Sequence, residues 1–331
     1  MKIAMFGTNT LQFNLVYTED VIRKISSFGE VSPMIHLKNI EEHKDFLKDC
    51  KVAFATWGMP KFTEADIKKY LPNLKILFYA AGTVQYFAKP FLNCGIKVLS
   101  AFAANAIPVA EYTFSQISLA SKGYFRSAKL YKKAPLVSLA FANKSTGNYK
   151  AKVGLVGLGT IGSMVAEKLK NLEVEVFAYD PFASEEKAKD LHVQLVSLEE
   201  IFTECDVISN HLANKKCLNN IFNKTLFQRM KPHSVFINTG RGAQINEHQL
   251  ANHLLLHPSI TFLGDVLKEE FFPYASPLFW CPNAILTPHI AGSIGHEPQR
   301  MAYYMIRELE YYLKKEPLHY EVTEDMLKTM A

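Results

Sequence analysis

Several features that mark specialised classes of protein are missing from this chain of 331 residues. Cysteine is scarce: the five residues are scattered, odd in number and form no C-x-x-C pair, which argues against a disulfide framework and a zinc site. We therefore expect reduced thiols, a cytoplasmic location and no bound metal. No apolar run approaches the length of about 18 residues that a membrane-spanning helix needs. A predicted strand begins at Lys2, so no signal peptide is expected.

A strong excess of one charge is also missing. The chain has 37 basic and 32 acidic residues, a formal net charge of +5, and it has no basic run or basic–aromatic stripe. This balance argues against binding to nucleic acid. The remaining composition, 48% hydrophobic and 21% charged, is typical of a globular protein, and the length favours two domains.

A glycine-rich turn between two apolar runs is the most informative stretch. Residues Lys152–Val156 form a Val-rich run typical of a buried parallel strand, and apolar residues at helical spacing follow the turn. A second strand, Val174–Ala178, leads to Asp180. The turn has the pattern G-x-G-x-x-G, formed by Gly157, Gly159 and Gly162. Strand, glycines, helix, strand and acid in this order predict a dinucleotide-binding turn, in which free helix N–H groups face the pyrophosphate.

Asp180 predicts which dinucleotide binds. It lies 18 residues past Gly162, where a carboxylate can accept hydrogen bonds from the ribose hydroxyls of adenosine. The same carboxylate would repel the 2′-phosphate of NADP, and residues 181–184 contain no Arg or Lys to offset its charge. The sequence therefore predicts NAD as the cofactor.

Strand-like and helix-like segments alternate through most of the chain. This alternation predicts an α/β protein with two doubly wound parallel sheets. The predicted strands of the first half are Lys2–Phe6, Val31–His36, Val52–Thr56, Leu74–Tyr79 and Ile96–Leu99. The further strands of the second half are Val193–Val196, Asp206–His211, Val235–Asn238, Thr261–Val266 and Ala284–Leu286. Predicted helices between them include Thr18–Ser27, Glu41–Asp49, Thr63–Tyr70, Val84–Asn93, Leu198–Glu204, Thr225–Met230 and Glu247–Leu256.

Two long helices predict how the domains are built. The segment Asn105–Leu130 is predicted to be one helix with Pro108 in its first turn, followed by an irregular polar segment, Pro135–Tyr149. A final helix, Glu297–Lys314, has an apolar face that we expect to cover the first sheet. The substrate domain would then be discontinuous, with residues 1–104 plus 295–331, and the NAD-binding domain would be 105–294.

Three side chains that could carry chemistry follow predicted strands of the second half: Arg241, Glu270 and His289. The carboxyl ends of parallel strands meet at one sheet edge, the edge that also holds the glycine turn. Arg241 can bind a carboxylate bidentately, His289 can exchange a proton near neutral pH, and Glu270 can hold the imidazole. Taken singly, each also fits a structural role as a turn residue, a solvated side chain or a cap.

Together these segments resemble the D-isomer specific 2-hydroxyacid dehydrogenases along nearly the whole chain. The resemblance is carried by the glycine turn with Asp180, A-N-A-I-P-V-A-E at 104–111, M-K-P-H-S-V-F-I-N-T-G-R-G at 230–242, G-D-V-x-x-x-E at 264–270 and L-T-P-H-I-A-G at 286–292. It implies a flavodoxin-like substrate domain with a Rossmann NAD domain inserted into it. It also implies a homodimer joined largely through the NAD-binding domain.

The resemblance assigns individual residues as well. It implies that Arg241, Glu270 and His289 are the catalytic group, and that Asp265 meets the nicotinamide carboxamide. A substrate carboxylate would meet backbone N–H groups of the Ala81–Val84 loop. The implied substrate-binding residues are Ala81, Gly82, Thr83, Arg241 and His289. The implied cofactor-binding residues are Gly157, Gly159, Thr160, Ile161, Gly162, Asp180, His211, Thr239, Gly240, Arg241, Asp265 and His289.

A few positions depart from the family pattern. Residues 81–84 lack a second glycine and an Asp that the family usually has. Phe271 and Ala213 each stand where Pro is usual, and His233 stands where Gly is common. None of these changes removes a predicted catalytic group, but the altered 81–84 loop leaves the substrate open.

The sequence therefore favours an NAD-dependent oxidoreductase that interconverts a 2-keto acid and a (2R)-2-hydroxy acid. Its expected partners are that small acid and a second copy of the chain, with no nucleic acid and no membrane. Two alternatives stay open. The same site could act on glyoxylate, phosphite or formate. The fold could also serve as an NAD-responsive scaffold of the kind found in related corepressors, which the short ends of this chain disfavour.

Overall fold

The computed structural model describes residues 1–329, and this part of the chain forms two compact units. The first unit combines the stretch Met1–Ala106 with the C-terminal stretch that begins at Ser293, and the second unit is Ile107–Gly292. Residues 330 and 331, which belong to the predicted substrate domain, lie outside the described residues.

The first unit is built on a parallel sheet with the strand order β2-β1-β3-β4-β5. This is the flavodoxin-like order, in which the chain reverses direction across the sheet between β1 and β3. The predicted doubly wound sheet is confirmed, with strand ends shifted by one or two residues. The strands are β1 (Lys2–Phe6), β2 (Glu30–Ile35), β3 (Cys50–Ala55), β4 (Ile76–Tyr79) and β5 (Lys97–Ser100).

Short helices connect these strands. They are α1 (Thr10–Val16), α2 (Glu19–Ser26), α3 (Lys44–Lys48), α4 (Glu64–Tyr70) and α5 (Ala88–Asn93). The sequence analysis did not predict α1, which begins where the Asn9 side chain accepts a hydrogen bond from the Gln12 N–H at 3.2 Å. Phe13 and Val16 bury its inner face against the first sheet.

The segment after β5 differs from the prediction in three ways. It forms α6 (Phe102–Ser121), α7 (Tyr124–Tyr131) and α8 (Pro135–Ala142). The predicted single helix over 105–130 is wrong, because the chain breaks at Gly123, whose φ of +62° lies in the left-handed region that ends helices. Pro108 lies inside α6 and not in its first turn. The predicted irregular segment is wrong over its first part, where Pro135 starts the apolar helix α8 at the position that proline favours, and only residues 143–149 are irregular.

The second unit contains a parallel sheet with the strand order β12-β11-β10-β9-β6-β7-β8. Counted from its own first strand this is the Rossmann order with one strand added, and the chain reverses direction between β6 and β9. The strands are β6 (Lys152–Val156), β7 (Glu175–Tyr179), β8 (Gln194–Leu195), β9 (Val207–Asn210), β10 (Val235–Asn238), β11 (Thr261–Gly264) and β12 (Ala284–Leu286).

Helices cover both faces of this second sheet. They are α9 (Thr160–Leu169), α10 (Glu185–Asp190), α11 (Leu198–Glu204), α12 (Lys224–Phe227) and α13 (Glu247–Leu256). One buried cluster joins Val153 and Leu155 of β6 to Val165 of α9 and to Ala110 and Ile117 of α6. The helix α6 is therefore part of the core of this unit.

The last helix returns to the first unit, as predicted. Helix α14 (Glu297–Lys314) buries Met301, Met305 and Leu309 in the core of the first sheet, and α15 (Glu324–Thr329) follows it. Between the two, residues 320–322 lie antiparallel to β5: Ser100 N–H donates to Tyr320 O at 3.0 Å, and Val322 N–H to Val98 O at 2.8 Å. In residues 1–329 no helix is long and apolar enough to span a membrane.

Candidate active site

The predicted site residues of the second unit follow neighbouring strands of its sheet. Because all these strands are parallel, their carboxyl ends share one edge. In spatial order from β12 to β7, this edge carries His289, then Asp265 and Glu270, then Thr239, Gly240 and Arg241, then His211, then the glycine turn, and finally Asp180.

Two positions of the glycine turn after β6 disfavour any side chain. Gly157 has a φ of +100°, a conformation that is strained for other residues, and an added Cβ on Gly162 would lie 2.0 Å from Gly157 O. Gly159 caps the N-terminus of α9, and a Cβ there would meet no atom within 4 Å. In the described part of the chain, the N–H groups of Gly159, Thr160 and Ile161 donate to no protein acceptor. This open helix end fits the pyrophosphate of a dinucleotide.

Asp180 lies beside this turn, and its carboxylate accepts a hydrogen bond from the turn backbone. One carboxylate oxygen accepts the Leu158 N–H at 2.7 Å and the other accepts the Phe182 N–H at 2.9 Å. Lys187, which the sequence analysis did not single out, donates to Leu158 O at 2.6 Å. An ammonium group therefore contacts the turn from α10, although residues 181–184 supply none. Lys187 lies in the first turn of α10, three residues past the N-cap Ser184, and no helix was predicted there.

His211 follows β9 on the other side of the turn. Its N–H donates to Val156 O at 2.8 Å, and its carbonyl oxygen would lie 2.9 Å from a Cβ on Gly157. Both ring nitrogens are buried and have no hydrogen-bond partner among residues 1–329. Burial lowers the pKa of His211 to about 4, so the ring is neutral at pH 7. A neutral imidazole with unpaired nitrogens fits a position beside a polar ligand.

Arg241 is carried by a loop that packs tightly on the next one. A Cβ on Gly242 would lie 2.1 Å from the carbonyl carbon of Leu267, so the loop after β10 touches the loop after β11. Arg241 Nη1 donates to Gly240 O at 2.7 Å, which leaves the other guanidinium donors available. Burial lowers the pKa of Arg241, and the negative charge of Glu270 opposes this effect.

Glu270 and His289 form a direct pair. Glu270 Oε2 lies 2.8 Å from His289 Nδ1, and both side chains are close to half exposed. His289 Nε2 has no partner in the part of the chain that the structure describes, so it is free to meet a ligand. The backbone of His289 is left-handed, with a φ of +55°, which is uncommon for a residue with a side chain. Such a conformation persists only where the surroundings fix it.

Asp265 supplies that fixation. It is 2% exposed, and its carboxylate accepts hydrogen bonds from Thr287 Oγ1 at 2.6 Å and from the N–H groups of Ile290 and Ala291 at 2.9 Å each. Its backbone oxygen accepts the N–H of His289 at 2.9 Å. The loop that carries His289 is therefore bound to Asp265, an arrangement that the sequence analysis did not predict.

A buried amide cluster beneath the Arg241 loop was also not predicted. Asn210 Nδ2 donates to Asn238 Oδ1 at 2.8 Å and to Gln244 Oε1 at 2.7 Å. Asn238 in turn donates to Arg241 O, and Gln244 to Ala213 O at 2.9 Å. A signal was present in the sequence, because β9 and β10 both end in Asn and a buried Asn needs partners.

The Ala81–Val84 loop follows β4 in the first unit. The single hydroxyl proton of Ser100 is shared between the carbonyl oxygens of Ala81, 2.9 Å from Oγ, and Gly82, 2.7 Å from Oγ. The N–H groups of Ala81, Gly82 and Thr83 donate to no acceptor within residues 1–329. A loop with its carbonyl groups held and its N–H groups free can bind an anion.

The departures from the family pattern lie at ordinary surface or backbone positions. His233 has a φ of +67°, the conformation that explains why glycine is common there. Phe271 is 93% exposed, next to Glu270. Within the described residues no group of three or more His, Cys, Asp or Glu could hold a metal ion.

The chain is similar to known proteins of one family. Residues 117–291 match the family model described as D-isomer specific 2-hydroxyacid dehydrogenase, NAD binding domain. The chain is similar to the D-3-phosphoglycerate dehydrogenase of Archaeoglobus fulgidus, with 29% identity over 70% of this chain and 44% of that protein. It is also similar to the glyoxylate reductase of Korarchaeum cryptofilum, with 27% identity over 77% of each.

The fold is shared with a solved structure. The D-isomer specific 2-hydroxyacid dehydrogenase from Lactobacillus delbrueckii ssp. bulgaricus, in its NAD-complexed form, has a TM-score of 0.77 and 18% identity, covering 98% of this chain and all of the other. The matched part of this chain corresponds to less than half the length of the Archaeoglobus relative.

Proposed function

The chain belongs to the D-isomer specific 2-hydroxyacid dehydrogenase family, and from this we propose that it is an NAD-dependent oxidoreductase that interconverts a 2-keto acid and a (2R)-2-hydroxy acid. The second unit would be the NAD-binding domain and the first the substrate domain. NAD, when bound, supplies the hydride or accepts it. The residues of the chain bind and orient both molecules and move the proton.

The cofactor would be bound along the carboxyl edge of the second sheet. Thr160 and Ile161 would meet the pyrophosphate at the open end of α9, and Asp180 the adenosine ribose. His211, Thr239, Gly240 and Asp265 lie on the neighbouring loops and complete the proposed set, with Asp265 near the carboxamide. This proposal is supported by free N–H groups at Gly159, Thr160 and Ile161, and by the unpaired nitrogens of His211.

The substrate would be recognised through its carboxylate. The free guanidinium donors of Arg241 suit a carboxylate and the adjacent carbonyl oxygen, because the planar group can donate two parallel hydrogen bonds. Ala81, Gly82 and Thr83 would contribute through their unpaired N–H groups. Both binding elements are selective for the shape and charge of a small 2-keto acid and not for its side chain.

Proton transfer would be carried out by His289 with Glu270. During reduction, His289 Nε2 gives its proton to the ketone oxygen as hydride reaches the carbonyl carbon, and in the reverse direction it takes the proton from the hydroxyl group. Glu270 accepts a hydrogen bond from Nδ1, which fixes the orientation and the tautomer of the ring. This 2.8 Å pair, on the same sheet edge as the glycine turn, is the observation that supports the proposal most strongly.

The test is NADH oxidation by the purified protein against a panel of 2-keto acids that includes glyoxylate and hydroxypyruvate. We expect turnover that falls by about 10²–10⁴-fold in His289→Asn, the usual contribution of a general acid. NADH binding should be intact in this variant, as measured by quenching or calorimetry. His296→Asn is the matched control, since His296 precedes α14 in the first unit and is exposed.

Each other result has a defined meaning. Turnover restricted to glyoxylate, or found with phosphite or formate instead, would move the protein to the relatives that use the same site on those substrates. NADH binding without turnover on any acid would favour an NAD-responsive scaffold. His289→Asn with unchanged turnover would exclude the proposed proton transfer.

We also propose a cytoplasmic homodimer joined through the second unit. The apolar helix α8 exposes 82% of Leu136 and 57% of both Val137 and Leu139, which is unusual for a surface in contact with water. Leu136→Asp should convert the dimer into monomers in analytical ultracentrifugation, whereas Leu256→Asp, a change at a residue 78% exposed on α13, should not. A monomeric wild type would contradict the proposal.

The free cysteines support the proposed location, because the cytoplasm is a reducing environment in which thiols persist.

A further inference from the structure

Two adjacent residues of α6 contact the two loops that carry Arg241 and His289. The hydroxyl oxygen of Tyr112 lies 3.0 Å from Thr287 Oγ1, and Thr113 Oγ1 lies 3.1 Å from Thr239 Oγ1. Thr287 precedes His289 by two residues, and Thr239 precedes Arg241 by two residues. One turn of α6 therefore contacts both loops, in each case two residues before the proposed catalytic residue.

This turn of α6 is rigid because it is packed in the core. Thr113 is fully buried and Thr239 is 8% exposed. On the same face of the helix, Ala110 and Ile117 belong to the buried cluster that includes the strands of the second sheet. Hydrogen bonds in such a water-poor place are stronger than at the surface, and losing one partner leaves a buried polar group unpaired.

The hydrogen-bond directions on the His289 side follow from donor counting. Thr287 Oγ1 donates its only proton to Asp265 Oδ1 at 2.6 Å. Tyr112 must therefore be the donor to Thr287. Asp265 then accepts the N–H groups of Ile290 and Ala291. The series from Tyr112 through Thr287 to Asp265 holds the loop on both sides of His289, whose left-handed backbone needs such support.

The Arg241 side has a shorter connection. The strand β10 ends at Asn238, and Thr239 is the first residue of the loop that follows. The hydroxyl contact between Thr239 and Thr113 fixes the start of this loop. The loop then turns through Gly240, whose N–H donates to Asn238 Oδ1 at 3.2 Å, and reaches Arg241. A displacement of Thr239 would move the guanidinium group directly.

We propose that Tyr112 and Thr113 are positioning residues that set the catalytic geometry of the two loops independently, Tyr112 for His289 and Thr113 for Arg241. The inference rests on the proposed function of those two residues. It has a specific consequence. Loss of the Tyr112 contact affects proton transfer and lowers kcat, whereas loss of the Thr113 contact affects carboxylate binding and raises KM for the acid.

The test compares Tyr112→Phe and Thr113→Val, which keep size and remove one hydroxyl group each. The control is Ser115→Ala, because Ser115 is exposed and its hydroxyl donates only to Glu111 O in the same helix, at 2.8 Å. We expect kcat to fall by about 3- to 10-fold in Tyr112→Phe with KM unchanged. We expect KM for the acid to rise by about the same factor in Thr113→Val with a smaller fall in kcat, since Arg241 would also meet the carbonyl oxygen. The control should match the wild type.

A merely structural role would give a different pattern. It would lower thermal stability and the active fraction without separating kcat from KM, and that result, or unchanged kinetics in both variants, would overturn the proposal. Amide hydrogen exchange tests the same point without a substrate. Exchange should increase at residues 289–291 only in Tyr112→Phe, and at residues 239–242 only in Thr113→Val.

The exchange measurement also keeps the two proposals apart. If the wild type turns over no 2-keto acid, the proposed function fails, and the exchange data still decide whether the two contacts hold their loops. Equal exchange in variants and wild type would show that they do not.

Discussion

The two sheets are both parallel and doubly wound, yet their carboxyl edges differ in charge. In the first unit, the residues that directly follow β1, β3, β4 and β5 are Gly7–Asn9, Thr56–Met59, Ala80–Val84 and Ala101, none of which is ionisable, whereas His36 and Lys38 follow the edge strand β2. In the second unit, the corresponding loops carry a guanidinium group, an imidazole and several carboxylates. The same architecture therefore supports two kinds of site. One edge offers backbone N–H groups, and the other offers ionisable side chains, among them the Glu270–His289 pair.

Under the proposed function, this difference would separate recognition of the substrate from proton transfer. A loop such as Ala81–Val84, which would bind through backbone N–H groups, can change its side chains and keep those donors. The charged loops of the second sheet allow less variation, since the Asp265 carboxylate holds the His289 loop and the Asn238 amide holds the Arg241 loop. We expect substitutions in the second edge to have the larger effects.

The largest effect should come from the glycine turn. In Gly162→Ala the new Cβ would overlap Gly157 O, so α9 must move away from β6, at a cost of about 3 kcal/mol, and NADH binding should be lost. Gly159→Ala should keep its stability within about 0.5 kcal/mol, because its Cβ meets no protein atom, but should still lose NADH affinity. Thermal unfolding with and without NADH distinguishes the two. Wild-type NADH affinity in Gly159→Ala would place the pyrophosphate elsewhere.

The next largest effect compares one residue from each edge. Arg241→Lys should lower kcat/KM for the 2-keto acid by about 10- to 100-fold, because a single ammonium cannot replace a bidentate guanidinium group. Thr83→Ala should change kcat/KM by less than about twofold, since only the backbone N–H of Thr83 is proposed to bind, and a surface change of this kind is usually small. Steady-state kinetics at saturating NADH measures both. Equal losses in the two variants would contradict the division between the edges.

A smaller effect is expected at Asp180. Removing its carboxylate in Asp180→Ala should reduce the preference for NADH over NADPH by about tenfold, because one repulsive charge beside the 2′-phosphate is lost. The preference should return in part in the double variant Asp180→Ala with Lys187→Gln, since Lys187 is then the ammonium group at the glycine turn. The ratio of kcat/KM values for the two cofactors is the measurement. A wild type that uses NADPH equally well would refute the NAD prediction.

The smallest effect concerns acid stability. His253 is 7% exposed, and burial, together with the neighbouring His257, lowers its pKa from 6.5 to about 4. The unfolded chain binds a proton more readily, so this stability is present above pH 6.5 and is lost as the pH falls from 6.5 towards 4. Between pH 7.5 and 5.5 the loss should be about 1 kcal/mol. Urea unfolding of His253→Gln against wild type at these pH values measures it.

The two units should respond to acid in different ranges. His211 has the same lowered pKa and lies in the second unit, whereas no histidine of the first unit is buried in residues 1–329. In the first unit, hydrogen bonds from Lys69 and Tyr70 lower the pKa of Glu41 to about 2, so its contribution is lost only below pH 4.5. Unfolding followed by probes in each unit should show the second unit losing stability first. Simultaneous loss in both units would argue against this assignment.

The strands could be predicted from the sequence because each is a short apolar run with a turn after it. Helices were harder. The sequence predicts an irregular segment where α8 forms, although Ser138 is the only polar side chain of this helix and is buried. The helix break at Gly123 depends on a left-handed φ that no periodicity reveals. Short helices such as α1 and α10 are stabilised by a cap and by packing, which a helical pattern of a few residues does not indicate.

In the candidate site, the positions of the residues could be predicted from the sequence, but the contacts between their side chains could not. Strand order and motif spacing were enough to predict that Arg241, Glu270 and His289 lie on loops of one sheet edge. They were not enough to show that Asp265 binds the His289 loop or that Tyr112 reaches Thr287. These contacts join residues far apart in the sequence through single side-chain atoms, so only the folded chain defines them.

The short antiparallel pairing of residues 320–322 with β5 has a consequence for solubility. Without it, the edge of the first sheet would present unpaired N–H and C=O groups along Lys97–Ser100, a template on which another molecule can add a strand. Cleavage after Lys315 would remove this cover and would also expose the core around Val322, so it should promote aggregation. The C-terminal segment therefore protects both the core and the edge of the first sheet.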